Sequence, residues 1–354
     1  MHHSVATVPL AVTAGMLYAR AAAASTRPGP RRLIALVPVL ALLVALPFSV
    51  PLYSARGLAA FFLVWLGEFK LLLLAFGRGP LDPALRPLPF AFTAALPVKL
   101  RQSRIQQADA AAAAARPVTE TVALPLLSSG IKVAVMASVF RLLFRSKEAM
   151  HPYAASALYG VAMYCFLDSL LPCLAVTGRA LGMEMEPQFD KPYLSSSLRD
   201  FWGRRWNLMV SAALRPAVYD PVRARLGAPA GVFAAFLVSG LMHEVLLYYV
   251  TFRAPTGQVT AFFTLHGTCV CAERWCARRW RRGCRAAPPR VVATPLVVAF
   301  VAGTAFWLFF PAIFGDGMDD LYLAENAALA SSFLDASGRL LRLVGLGYSK
   351  YDRR

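Results

Sequence analysis

Two polar stretches interrupt an otherwise apolar chain, and both hold groups that move protons or bind developing negative charge. Tyr193 to Asn207 reads Tyr-Leu-Ser-Ser-Ser-Leu-Arg-Asp-Phe-Trp-Gly-Arg-Arg-Trp-Asn, and Ser239 to Glu244 reads Ser-Gly-Leu-Met-His-Glu. A neutral imidazole, with an ordinary pKa of about 6.5, serves as a general base at physiological pH. A carboxamide donates N–H to an oxyanion. His243 and Asn207 are the candidates for these tasks, 36 residues apart (243 − 207). That separation lets the Asn-bearing segment turn so that His243 returns near it on the next helix. An ionisable group within an apolar span is costly in lipid and marks function by default.

Among the reactions that such a pair can serve is acyl transfer to a hydroxyl, which needs proton removal, oxyanion stabilisation and exclusion of water. The rival is a Ser or Cys acyl-enzyme. Ser195, Ser196, Ser197 and Ser239 are available, but none sits in a G-x-S-x-G elbow, so direct attack by the acceptor is preferred. Glu244 follows His243 and would point about 100° away from it on a helix, so it is not expected to orient the imidazole. Arg199, Arg204 and Arg205 could grip phosphates bidentately or snorkel to anionic headgroups. Trp202 and Trp206 would share a helix face, either as packing or interface anchors or as substrate contacts. Asp200 is expected to pair with a nearby Arg or with backbone amides and, with Phe201, to support the motif.

Other polar groups read more plainly. The six cysteines make no C-x-x-C pair and have no His pair nearby, so no metal site is expected. His266 is a hydrogen-bonding group inside a helix, with a supporting role in a reaction chamber as the alternative. Glu68 and Lys70, two apart, do not share a face and should find partners on other helices. Asp168 is expected to be a buried partner.

The elements that must position these groups are membrane helices. Of 354 residues, 58% are hydrophobic and 16% charged, which points to an all-α polytopic protein rather than soluble domains. The net charge of +18 sits in short loops between apolar runs, so it implies cytosolic loops facing anionic lipid, and not nucleic acid. Expected spans are Ser4 to Ala24, Leu33 to Tyr53, Gly57 to Phe76, Thr121 to Phe144, Tyr153 to Val176, Pro229 to Phe252, Gln258 to Cys271, Val291 to Phe314 and a weaker Leu321 to Gly345, about eight or nine crossings. Met183 to Leu226 has runs too short to cross, and reads as a bent, partly buried segment that implies an internal chamber. The chain forms one membrane domain, 1–354, with N-terminal spans and a basic loop (1–182), the motif region and His-bearing helix (183–272) and C-terminal spans (273–354). With a lumenal start the basic loops fall in the cytosol, and Asp316, Asp319, Asp320 and Glu325 outside; Arg141, Arg145 and Lys147 break that rule.

The run Ser197-Leu198-Arg199-Asp200-Phe201-Trp202-Gly203-Arg204-Arg205-Trp206-Asn207 with Ser239-Gly240-Leu241-Met242-His243-Glu244 resembles the membrane-bound O-acyltransferases, and among them the plant wax synthases, or long-chain-alcohol O-fatty-acyltransferases. The likeness covers the chain from about Arg31 and is densest between Pro187 and Glu273. It implies catalytic His243 and Asn207; Trp202, Arg204, Arg205 and Trp206 are the candidates for substrate binding. It also implies an endoplasmic-reticulum enzyme moving a fatty acyl group from acyl-CoA to a lipophilic alcohol drawn from the bilayer. No cofactor is implied; CoA enters with the substrate. Rival readings are the same chemistry on a sterol or diacylglycerol and, from another class, a transporter lined by Glu68, Lys70, Asp168 and His243.

Overall fold

The computed structural model describes residues 2–98, 118–181, 183, 188–282 and 288–343, and among these all regular structure is helical. The N-terminal helices are α1 (His2–Ser25), α2 (Pro30–Ala45), α3 (Tyr53–Ala75) and α4 (Pro87–Ala95). Next come the long pair α5 (Val118–Ser146) and α6 (Pro152–Ala180). The motif follows as α7, a turn Leu198–Asp200 that runs into the π-helical turn Phe201–Arg205. Then come α8 (Leu208–Leu214), α9 (Asp220–Thr251) and α10 (Gln258–Arg282). The C-terminal helices are α11 (Arg290–Thr304), continued to Phe314, and α12 (Met318–Leu343).

Prolines and glycines place the breaks. The span expected from Leu33 to Tyr53 is present with an earlier end: α2 runs to Ala45, tightens into the 3₁₀ turn Leu46–Ser49, and helix resumes only at Tyr53. Pro47 and Pro51 lack the N–H that would continue the ladder. In the motif region 208–226 is helical throughout, through the π-helical turn Arg215–Tyr219. A sharp bend comes at Gly227, whose φ of 85° is open to glycine but strained for other residues. Beyond it the chain folds back closely: a Cβ at Gly231 would lie 2.9 Å from the Tyr219 carbonyl oxygen.

Five helical stretches are long and apolar enough to cross a membrane among the described residues: Pro30–Ser49, Tyr53–Ala75, Leu127–Ala149, Leu208–Thr251 and Arg290–Phe314. The last two thus include the Gly227 bend and α11. The segments of the remaining expected spans fall on helices α1, α6, α10 and α12, which are not among these five. Exposed apolar side chains such as Ile34, Leu127, Ile131, Val291, Leu296 and Trp307 form outward surface of the kind that faces lipid.

Several charged groups within the bundle are matched to backbone or to one another. Lys70 is buried and donates to the Thr93 and Leu96 carbonyls at 2.6 and 2.7 Å, capping the C-terminal end of α4 where the helix dipole favours a cation. Glu68, also expected to find a partner on another helix, differs: Oε1 is buried without a hydrogen-bond partner. Asp168 pairs with Lys132 at 2.7 Å, joining α6 to α5. Lys147 reaches Asp319 and Asp320 at 2.6 and 2.5 Å, Arg253 reaches Asp316 at 2.9 Å, and the Ser54 N–H donates to Glu325 at 2.8 Å. These contacts gather the start of α3, the end of α5 and the end of α9 at the start of α12. The positive charge of Lys147, out of place by the loop rule, is therefore neutralised by local carboxylates.

Candidate functional site

The motif is held from both ends. Ser197 Oγ accepts from the Asp200 N–H at 2.9 Å as the N-cap of α7. Glu273, from α10, adds a carboxylate that accepts from the Leu198 and Arg199 N–H groups at 3.2 and 3.0 Å, satisfying donors a helix start leaves open. Asp200 Oδ2 receives Arg205 Nε at 2.8 Å, and Arg205 also donates to the Asp190 carbonyl at 3.0 Å. The Arg205 guanidinium is thus engaged inside the motif, whereas Arg199 and Arg204 are exposed.

Its aromatic residues pack in two directions. Phe201 is buried and stacks on Trp206 with centroids 5.4 Å apart, and Trp206 meets Phe189 edge-on at 5.1 Å. Trp202 turns the other way, against Phe236, Phe262 and Phe263. Its Nε1–H donates to His266 Nδ1 at 3.0 Å. Indole nitrogen only donates, so Nδ1 of His266 is the unprotonated nitrogen and Nε2–H donates to Thr304 Oγ1 at 2.9 Å. Thr304 in turn donates to the Phe300 carbonyl at 2.7 Å. This buried relay ties α7 through α10 to α11, with every polar atom used.

Asn207 follows the motif in the left-handed region (φ 42°, ψ 65°), which Asn tolerates better than most residues. It is the N-cap of α8, with Oδ1 accepting from the Val210 N–H at 3.4 Å. The acceptor half of its amide is thereby occupied, and the Nδ2 donors are left to point elsewhere.

His243 Nδ1 lies 2.7 Å from the carbonyl oxygen of Ser239, one turn back on α9. A carbonyl only accepts, so Nδ1 carries the proton and, in the neutral ring, Nε2 holds the lone pair. The orienting group is thus backbone. Glu244 is elsewhere: it is buried, and Oε1 accepts from the Val259 and Thr260 N–H groups at 3.0 and 3.1 Å, capping the start of α10. The imidazole is walled by Phe263 (4.3 Å, stacked), Trp65 (4.8 Å, edge to face) and Phe309 (5.9 Å, edge to face). Trp65 also belongs to the cluster of Val210, Ala213, Leu214 and Met242, so the indole that meets His243 lies in the same apolar cluster as the helix capped by Asn207.

Trp65, Phe309 and Trp202 each come from a π-helical turn, respectively Phe61–Gly67, Ala305–Phe309 and Phe201–Arg205. Such turns recur at functional sites because the extra residue re-aims side chains. None of these rings except Trp202 stands out in the sequence, because an aromatic residue within an apolar span looks like any other. Glu273 had a faint signal, as the one carboxylate opening an Arg-rich run.

Residues 185–265, which span the motif and His243, match the family model described as membrane bound O-acyl transferase family. Across 332 residues the chain is 37% identical to probable long-chain-alcohol O-fatty-acyltransferase 3 of Arabidopsis thaliana, covering 89% of this chain and 90% of that protein. The chain belongs to the membrane bound O-acyl transferase family. This O-acyltransferase is also 38% identical over 301 residues to the long-chain-alcohol O-fatty-acyltransferase of Simmondsia chinensis, with 82% and 84% of the two chains covered. Against acyl-CoA--sterol O-acyltransferase 1 of Arabidopsis thaliana it is 33% identical over 331 residues, with 88% and 91% covered. Two of the serines that could have carried an acyl group in this O-acyltransferase are occupied: Ser195 is buried and donates to the Pro192 carbonyl at 2.7 Å, and Ser197 is the α7 cap.

Proposed function

We propose that this membrane acyltransferase moves a fatty acyl group from acyl-CoA to the hydroxyl of a long-chain alcohol, with His243 as general base and Asn207 assisting. The observation that carries the reading is the tautomer of His243: Nδ1–H is anchored on the Ser239 carbonyl, so Nε2 is the basic nitrogen. The acceptor O–H gives its proton to Nε2 as its oxygen attacks the thioester carbonyl carbon. Asn207 donates from Nδ2 to the oxyanion that forms. When the C–S bond breaks, the departing CoA sulfur takes the proton from the imidazolium, which restores Nε2 and leaves ester and CoA. No acyl-enzyme and no resident cofactor are required.

The aromatic walls around His243 suit a water-poor chamber, open to acyl-CoA from the cytosol and to the acceptor from the bilayer. Exposed Arg199 and Arg204 suit the CoA phosphates at its mouth. In this reading Trp202 and Trp206 line the substrate side through the walls they build, and Arg205 shapes the motif. A topology of about eight or nine crossings is supported by the convergence of Lys147, Arg253 and the start of α3 on residues 316–325, since all of these belong on one side of the membrane in that arrangement. An endoplasmic-reticulum setting fits a cytosolic acyl-CoA supply.

The test is a competition assay with purified protein in lipid nanodiscs, labelled acyl-CoA, and equal amounts of long-chain alcohol, sterol and diacylglycerol. Wax ester as the main product supports the reading. The likeness to a sterol O-acyltransferase makes steryl ester the specific alternative outcome, and a fatty alcohol that proves the poorest acceptor ends the alcohol assignment.

A further inference from the structure

Trp65 is 1% exposed, and its indole Nε1–H has no hydrogen-bond partner within the protein. An indole nitrogen can only donate, and a buried donor left unmatched forfeits its hydrogen bonds to water without replacement. Apolar packing alone would be served as well by Phe, which fills a similar slot without that cost.

The position of the ring says what oxygen could meet it. Trp65 stands edge to face on His243 at 4.8 Å and shares a hydrophobic cluster with Val210, Ala213 and Leu214 of the helix that Asn207 caps. During transfer the atom that must sit beside His243 Nε2 is the acceptor's hydroxyl oxygen. A second polar atom, Glu68 Oε1, is likewise buried and unpaired three residues further along α3. Among the described residues this stretch of α3 therefore carries two unpaired buried polar atoms, of which only the Trp65 N–H is a donor that a hydroxyl oxygen could accept while its own proton stays free for His243.

We propose that Trp65 is a further catalytic residue of this enzyme, its Nε1–H donating to the acceptor's hydroxyl oxygen while that hydroxyl's proton is directed at His243. The proposal rests on the reading of His243 as the base. Trp65 fixes the rotation of the hydroxyl about its C–O bond, so that the proton faces Nε2 and a lone pair faces the thioester carbon.

Trp65→Phe tests it, in full-length protein in nanodiscs with acyl-CoA and a long-chain alcohol. The expected result is a fall of about tenfold or more in kcat/KM for the alcohol, with KM for acyl-CoA unchanged. Should the Phe variant fold poorly, β-(3-benzothienyl)alanine introduced at position 65 keeps the ring shape while sulfur replaces N–H, and the same fall is expected. Wild-type kcat/KM for the alcohol in either folded variant overturns the proposal. His243→Ala is measured alongside: its inactivity with a fully active Trp65→Phe removes only the role of Trp65, whereas retained turnover in His243→Ala removes the base reading and this proposal with it.

Discussion

The imidazole of His243 is tied by its Nδ1–H to the carbonyl oxygen of Ser239 at 2.7 Å, within one turn of the same helix. No side chain from another element is needed to select the tautomer. Phe263, Trp65 and Phe309 then restrict the ring plane. His243→Ala should lower kcat by about 10² or more, the usual share of a general base, with little change in thermal unfolding. Steady-state assay of the detergent-purified variant checks this, and near-normal turnover would exclude the residue.

Asn207 joins a structural role to a chemical one, and the two can be separated. Asp at the same position keeps an acceptor for the Val210 N–H but has no N–H to give an oxyanion. Asn207→Asp is expected to hold stability within about 0.5 kcal/mol while kcat falls by about 10². Asn207→Ala should lose both, with a further cost of about 1 kcal/mol from the missing cap and the left-handed backbone. Parallel unfolding and activity measurements distinguish the two variants; equal activity in Asn207→Asp and the parent would rule out the donor role.

The relay from Trp202 through His266 to Thr304 makes its own prediction. Thr304→Val leaves the His266 Nε2–H buried without an acceptor, at a cost of about 1–3 kcal/mol. Thr304→Ser keeps the hydroxyl and should stay close to the parent. A fluorescence-detected melting series would report the difference, and identical melting of the Val and Ser variants would show that the relay adds nothing to stability.

Close helix contact at Gly240 can be probed by a single methyl. A Cβ there would lie 2.7 Å from the Thr260 Cα, with Phe263 Cβ at 3.3 Å, so α9 and α10 would have to separate. Gly240→Ala is expected to cost about 1–3 kcal/mol. Because Phe263 stacks on His243, activity should fall more than the Gly231→Ala variant, where the contact lies away from the imidazole. Comparable losses in both would show that the effect is only global.

Glu273 links the end of α10 to the start of the motif. Glu273→Gln retains one oxygen for the Leu198 or Arg199 N–H but not both, and loses the charge that favours a helix start. A loss of about 1 kcal/mol is expected in melting experiments, and about twice that for Glu273→Ala. Unaltered melting in Glu273→Ala would mean that the cap is dispensable.

The amino-acid sequence by itself determined the class of molecule and the names of its chemical groups. Apolar runs of helix length, with basic residues between them, can be stable only as membrane helices, because lipid cannot hydrogen-bond an open backbone. Breaks at Pro51 and near Gly227 are local effects of ring closure and a missing Cβ, so they too can be read without a fold. His243 and Asn207 stood out because polar side chains are rare where the surroundings are apolar. Tertiary structure alone decided what surrounds them. Glu244, next to the histidine, turned to cap α10, and Lys70 found its partners in the carbonyls that end α4. Trp65, from a span far earlier in the chain, became the ring shared by His243 and the helix of Asn207. Those pairings depend on how helices distant in sequence lie side by side and on π-helical turns that rotate single residues, and neither leaves a periodic trace in the order of amino acids.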